Sequence, residues 1–411
     1  MIVTIFLAAT IIKKSLIANQ MTSITNNRVA SIDLLKGLVM VIMALDHVRD
    51  FFHYSAYIFD PTDPTQSTLP LFLTRFITHF CAPTFSFLAG TSAYMSGKRK
   101  TKNQLSIYLL QRGVWLVFVE LFIITFGWLF DFHFGLLNTQ VIWTLGISMM
   151  FLAGLIHLPR KYILLFSLVI IGAHNLFDNI HYPGNIIWSI LHEPNNFIIN
   201  KYLQFSVAFP IIPWVAVMSL GYYFGAFYDK SYDITKRKKI FTLIGLVAIS
   251  LFLVLRYTNL YGDLIPYKDY GSISKNIISF FNPSKYPPSL LYLLMTLGVA
   301  FLLLANIEKL NGKIVNFFST FGRVPFFYYI LHLYTIHLSA ILMYKLTGFG
   351  WKNVLPAWGP DIVPSYMNGY GYSLWVVYAI WVGIILLVYP ICLQFDKYKQ
   401  AHKEKWWLGY L

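Results

Sequence analysis

Apolar stretches of about 20 residues, the length a helix needs to cross a bilayer, recur along the whole chain and alternate with short polar segments. The pattern predicts about ten helical spans, over 32–52, 70–96, 105–130, 138–157, 161–178, 204–227, 240–257, 286–308, 317–346 and 372–394. Lys and Arg sort between alternate connections. Lys13 and Lys14, Lys98 to Lys102, Arg160 and Lys161, Lys236 to Lys239, Lys309 and Lys313, and Lys397 to Lys405 all fall on one side. The opposite connections hold only Lys201, Lys268, Lys275, Lys285 and Lys352, although they are longer. The positive-inside rule then puts both termini in the cytoplasm, which an even number of spans satisfies. The outer segments 53–69, 179–203, 258–285 and 347–371 are long and rich in Pro, Gly, Asn and aromatics, as loops that carry binding surfaces are.

Composition narrows the class further. The chain is 57% hydrophobic and only 12% charged, against about 25% charged in soluble domains, which excludes an ordinary soluble protein. Its net charge of +15 follows from the basic cytoplasmic connections, so membrane lipids, and no nucleic acid, are the expected surroundings. Cys81 and Cys392 both lie in apolar runs and give neither a disulfide framework nor a thiolate metal site. The sequence has no Asn-x-Ser/Thr site with a non-Pro middle residue, which favours a bacterial inner (cytoplasmic) membrane. The expected organisation is a cytoplasmic or interfacial segment 1–27 (with Met21 as an alternative start), an all-α, multi-pass transmembrane domain 28–396, and a basic cytoplasmic tail 397–411.

Ionisable groups within a bilayer are costly and mark functional sites. The first span carries Arg28, Asp33 and Lys36, then an apolar run, then Asp46, His47, Arg49, Asp50 and finally His53. At 100° per residue Lys36, Met40, Met43, His47 and Asp50 share one stripe, with Lys36 and His47 about 16 Å apart along the axis. Lys36 could equally snorkel to lipid phosphates, and Asp46, Asp50 and His53 could form a metal face, although no further carboxylate cluster supports one. In the second span Arg75 and His79 precede Pro83, whose ring frees a backbone carbonyl. Gly90 and Ala93 permit close helix approach. Arg112 enters the third span as a phosphate clamp or as an ion-pair partner of Glu120 or Asp33. The sixth span opens on Pro213 and Trp214, and Gly221 and Gly225 within it are read as packing residues. The ninth carries Arg323, Pro325, Tyr329, His332 and His337, of which His337 is read as a hydrogen-bonded core histidine.

The run Arg28…Asp33-Leu-Leu-Lys36-Gly followed after ten residues by His47 resembles the signature of transmembrane acyltransferases. With Pro213-Trp214…Gly221-Tyr-Tyr-Phe-Gly225, Gly322-Arg323-Val-Pro325-Phe-Phe-Tyr-Tyr-Ile-Leu-His332 and Trp406-Trp407-Leu-Gly-Tyr-Leu, it resembles bacterial members of the heparan-α-glucosaminide N-acetyltransferase catalytic-domain family. The resemblance implies transfer of acetyl (acyl) from cytosolic acetyl-CoA, with no metal, to an amino or hydroxyl group of an extracytoplasmic saccharide or glycolipid. It implies donor contacts at Lys36 and Arg112, extended here to Arg28 and Arg323, and a catalytic His332. It departs at His47, where the lysosomal member has Asn and places its essential histidine in the following loop, so His47 and His53 both stand as the base.

The chemistry also follows from the residues themselves. Acyl transfer from a thioester needs a base and donors for the tetrahedral oxyanion. His47, oriented by Asp46 or Asp50, supplies the first, and His332 or Tyr329 the second. His79, Arg75, Tyr329 and Trp214 are the candidate acceptor contacts, and Trp188, Trp351, Trp358 and Tyr366 are outer aromatics able to stack on a sugar. An acyltransferase predicts an inward-opening, CoA-sized cavity between spans one, two, three and nine. The alternative, a proton-coupled transporter or flippase of an envelope glycan precursor, predicts broken helices in matching halves. A receptor or scaffold predicts no continuous polar cavity. A homodimer remains open.

Overall fold

The computed structural model describes residues 29–355 and 364–410. Arg28, Trp358 and the segment 1–27 lie outside them. The chain is an all-α, multi-pass membrane protein. Six helices among the described residues are long and apolar enough to cross a bilayer: Leu69–Gly97, Lys102–Leu129, Arg160–Phe177, Ile234–Thr258, Pro325–Phe349 and Leu374–Ala401. Val141–Leu155 and Leu290–Asn306 are apolar but shorter.

We label the principal elements in chain order. They run α1 Ala30–Phe52, α2 Leu69–Thr78, α3 Cys81–Gly97, α4 Lys102–Leu129, β1 Leu136–Thr139, α5 Val141–Leu155 and α6 Arg160–Ala173. The second part holds β2 Asn195–Asn200, β3 Leu203–Val207, α7 Ile212–Gly225, α8 Ile234–Thr258 and α9 Leu290–Asn306, then α10 Lys313–Arg323, α11 Pro325–Tyr344 and α12 Leu374–Ala401. Local sequence sets several helix starts. Thr101 and Gln104 close a reciprocal capping box on α4. The Asp233 carboxylate accepts the Lys236 amide at 2.6 Å, and Ser289 Oγ accepts that of Tyr292 at 3.1 Å; each satisfies an amide that the first turn leaves unpaired.

Helix α1 has too many charges to face lipid, and it is the inner helix. α10, α11, α12, α3 and α2 pack around it, and Met40, Ala44, Val48, Phe51 and Phe52 are fully enclosed. Two crossings depend on glycine. A Cβ on Gly37 of α1 would overlap the carbonyl of Phe318 in α10, and one on Gly322 would overlap that of Asp33. Gly90 of α3 and Gly221 of α7 meet in the same way, so the packing role expected of Gly221 is the one it has.

Three helical stretches are interrupted. The second breaks at His79–Phe80, the third contains a π turn at Glu120–Ile124, and the ninth breaks at Val324. The first of these follows from Pro83, which has no amide to offer the His79 carbonyl; the Tyr292 hydroxyl donates to that oxygen instead, at 2.7 Å.

The sixth stretch is also shorter than expected. Residues 203–207 form β3, which pairs in parallel with β1 (Leu136 opposite Gln204) and antiparallel with β2 (Asn195 opposite Val207). A short apolar run fits a strand as well as a helix start, and here β1 offered it a partner. The resulting sheet, in the order β1-β3-β2, stands beside the Asp50 end of α1.

Loops at the same end are tied down by a buried ion pair. Asp263 lies 3.5 Å from Arg256 and accepts from the Ser284 amide and Ser289 Oγ. Burial pushes its carboxyl up to about 6, against the opposing pull of Arg256 and these donors. The folded chain then binds this proton more tightly than the unfolded chain, so stability falls as pH rises from about 4 to 6. Asp263→Asn is expected to flatten that part of a pH–unfolding profile; an unchanged slope would assign it to another group.

Candidate active site

The polar stripe predicted on the first span is one wall of a cavity of about 650 Å³. Val39, Met40, Met43, Asp46, His47 and Asp50 line it from α1, Arg75 from α2, Cys81 and Phe85 from α3, Trp128 from α4 and Tyr329 from α11. The opposite wall comes from chain that the sequence left as loop or span: Phe59 and Asp60, the sheet residues Asn138, Asn195, Gln204 and Ser206, and Lys285 with Tyr286. Its mixture of apolar and polar lining residues is the usual makeup of a small-molecule site. The cavity lies towards the Asp50 end of α1, and the four spans expected to enclose one, the first, second, third and ninth, all contribute to its wall. Lys36, Arg112 and Arg323 do not line it.

His47 Nδ1 is 2.9 Å from His332 Nε2, across 285 residues of sequence. The hydrogen bonds fix the tautomers. His332 Nδ1 faces the Tyr328 carbonyl at 2.9 Å, an acceptor only, so the neutral ring carries its proton there. Its Nε2 must then accept, His47 Nδ1–H donates to it, and the lone pair of His47 is left on Nε2. Both rings are tightly held. His332 stacks on Tyr328 with centroids 4.7 Å apart, and Trp128 meets His47 edge-on at 4.8 Å. His47 is buried yet lines the cavity.

The expected orienting carboxylates do other work. Asp46 pairs with Arg49 at 2.9 Å and with Arg75, and Asp50 takes the second Arg49 nitrogen at 2.5 Å. Two guanidinium groups thus neutralise two carboxylates, all four side chains largely buried at the cavity wall, where each charge depends on its partner. Asp46, Asp50 and His53 consequently do not converge on a metal. His53 is buried, and its Nδ1 lies 2.7 Å from Ser55 Oγ. Removing one partner of such a network costs about 3–5 kcal/mol. Arg75→Leu is therefore expected to lower the unfolding temperature in detergent well below that of Arg75→Lys; equal temperatures would mean the charge pair contributes nothing.

The other expected residues distribute as follows. Lys36 Nζ donates to Ser92 Oγ of α3 at 2.5 Å. Arg112 donates to the Gly409 carbonyl of the tail and, at 3.2 Å, to the Tyr108 hydroxyl. Its suggested partner Glu120 instead accepts the amides of Ile142 and Trp143 at 2.7 and 2.9 Å, because π-turn residue 120 faces the start of α5. Arg323 Nε pairs with the buried Asp396 at 2.7 Å. His79 packs against Phe76 and Tyr292, Trp214 against Phe209, and neither lines the cavity. His337 is the core histidine expected, bonded to the Gly127 carbonyl at 2.9 Å and stacked on Phe130. Trp188, Trp351 and Tyr366 lie away from the cavity as well. The tail 397–410 is docked and not free, with Leu408 buried.

Asn138 and Gln204 fall at the starts of predicted spans and carry no signal of a binding wall in the sequence, whereas Asn195 lies in an outer segment expected to carry one. A family model described as Heparan-alpha-glucosaminide N-acetyltransferase, catalytic, matches residues 28–256. No curated protein matches the chain.

Proposed function

The chain belongs to the heparan-α-glucosaminide N-acetyltransferase catalytic family, a family of membrane acetyltransferases, and on that premise we propose that it moves acetyl from acetyl-CoA to an amino or hydroxyl group of a saccharide or glycolipid held in the 650 Å³ cavity. The observation that carries this reading is the His47–His332 pair, which leaves His47 Nε2 as the proton acceptor of a residue lining that cavity. His47 removes a proton from the acceptor as its nitrogen or oxygen attacks the thioester carbonyl. The C–S bond breaks as the tetrahedral intermediate collapses, and His47 returns the proton to the departing thiolate. Tyr329, on the cavity wall, is the oxyanion donor in this scheme; His332 is not, since both its nitrogens are engaged. Asp60, on the cavity wall, supplies negative charge where a protonated acceptor amine would first bind. The rest of the donor is assigned to the Lys36 end of α1, some 16 Å from the base at 1.5 Å per residue.

Purified protein incubated with radiolabelled acetyl-CoA and a panel of amino- and hydroxy-saccharides tests the reading. Label in none of the saccharides would overturn it. Lys36→Ala is expected to raise KM for acetyl-CoA roughly tenfold with little change in acceptor KM, the size of a lost charge-assisted hydrogen bond. An unchanged donor KM would remove Lys36 from the donor site.

A further inference from the structure

Arg112 is a charge within a spanning helix that no acid balances. It stands past the start of α4 at Lys102 by about 15 Å along the axis, on a flank shared with Tyr108 and Trp115. That flank lies roughly 100° round the helix from the exposed apolar stripe of Ile107, Leu110, Val114 and Phe118. Its hydrogen bonds to the Gly409 carbonyl and the Tyr108 hydroxyl both leave from Nη1. Tyr108 is one turn nearer the helix start, so the guanidinium reaches back towards the membrane surface, as long cationic side chains do. Nε and Nη2, the edge on which a guanidinium takes a phosphate in two parallel bonds, have no partner among the described residues. A cation so placed is costly until an anion meets it.

The chain beyond the last span adds to this charge. Residues 397–410 hold four lysines against one acid, Glu404. After α12 the tail turns back along the Arg112 flank, where Leu408 is buried and Tyr410 meets Trp115 edge-on with centroids 6.4 Å apart. Trp406 is 78% exposed on the same turn, and Trp407 is exposed beside it. Tryptophans at the end of a span belong at the headgroup level. Lys100 reaches Tyr108 as well, its Nζ 5.1 Å from the ring centroid, and Lys405 Nζ donates to the Tyr398 hydroxyl at 2.6 Å. Neither lysine meets a carboxylate among the described residues.

We propose that Arg112, Lys100 and the tail lysines form a site for an anionic phospholipid, its phosphate on the Nε–Nη2 edge of Arg112 and its headgroup level with Trp406 and Trp407. Clusters of four or more basic residues just beyond a span recognise such lipids, and here a guanidinium with an open edge fixes where the phosphate sits. A fatty chain alone offers that edge no acceptor. A nucleotide phosphate would satisfy the edge but leave the tryptophans without an apolar neighbour. The adjoining stripe of Ile107, Leu110 and Val114 gives the acyl chains of a phospholipid their apolar surface.

The test titrates the purified full chain with phosphatidylglycerol and with phosphatidylcholine and follows bound lipid by native mass spectrometry. Phosphatidylglycerol is expected to bind roughly tenfold more tightly, and Arg112→Gln to remove most of that preference, the size of a lost charge-assisted hydrogen bond. Arg112→Lys, which keeps the charge without the fork, should fall between the two. Lys403→Gln combined with Lys405→Gln should weaken phosphatidylglycerol binding several-fold, and this pair carries the test should Arg112→Gln fold poorly. Lys268→Gln, in the segment between α8 and α9, should change nothing. Equal affinities for the two lipids, or a preference that neither the Arg112 nor the lysine substitutions reduce, would overturn the site. An Arg112-dependent affinity for coenzyme A that phosphatidylglycerol does not compete with would overturn it too, since the guanidinium would then serve the phosphates of the donor.

Discussion

His47→Ala is expected to lower acetyl transfer by roughly 10²–10⁴-fold, the range over which a positioned general base accelerates such steps. The protein should still fold, because the ring borders a cavity and its removal leaves the Asp46–Arg49–Arg75 network intact. Transfer of label from acetyl-CoA by purified variants, normalised to folded protein by size-exclusion chromatography, reads the loss. His332→Ala should cost less. It keeps the base but frees the ring that the hydrogen bond holds in one tautomer, and a conservative His332→Gln, whose carbonyl can still accept from Nδ1–H, should restore part of the rate. His53→Ala should stay near wild type, since His53 Nδ1 is occupied at Ser55 and the residue does not line the cavity. If His53→Ala is silent and His47→Ala inactive, the choice left open by the sequence closes on His47. Loss in His53→Ala with full turnover in His47→Ala would reverse it.

Gly322→Ala is expected to destabilise the bundle strongly. Its new methyl would occupy the space of the Asp33 carbonyl, and backbone cannot swing aside as a side chain can, so α10 must move off α1. Overpacking of this kind costs about 1–3 kcal/mol or more, and both helices lie at the core of the bundle. We expect a large fall in unfolding temperature in detergent and a poor yield of monodisperse protein, with Gly37→Ala behaving alike. Gly154→Ala in α5 is the control. Nothing lies within 4 Å of a Cβ there, and alanine is the better helix former by about 1 kcal/mol, so that variant should be as stable as wild type or slightly more so. Equal behaviour of Gly322→Ala and Gly154→Ala would mean that the close crossing does not hold the bundle together.

The parts of the architecture that were readable are those written in a single stretch of chain. Apolar run lengths locate the helices, and the helical period puts Met40, Met43, His47 and Asp50 on one face, where the cavity is found. Pro83 announces a free carbonyl, though not that Tyr292 would take it. What could not be read depends on distant residues meeting. Asp46 has neighbours His47 and Arg49 in sequence, yet its second charge partner, Arg75, comes from another helix, and nothing local distinguishes that pairing from an Asp–His one. Depth in the membrane suggests Arg112 and Arg323 as donor contacts but carries no sign of the Gly409 carbonyl and the Asp396 carboxylate that they meet. Residues 204–207 read as the start of a helix because a short apolar run carries no mark of the strand beside which it will lie.

The hydrogen bond between imidazoles 47 and 332 joins segments separated by 285 positions, and the family match ends at 256. A fragment cut to the matched region would keep the proton acceptor and lose the ring that aims it. If His47 is the base proposed above, a severed amino-terminal half should bind acceptor poorly and turn over slowly until the remainder is supplied in trans.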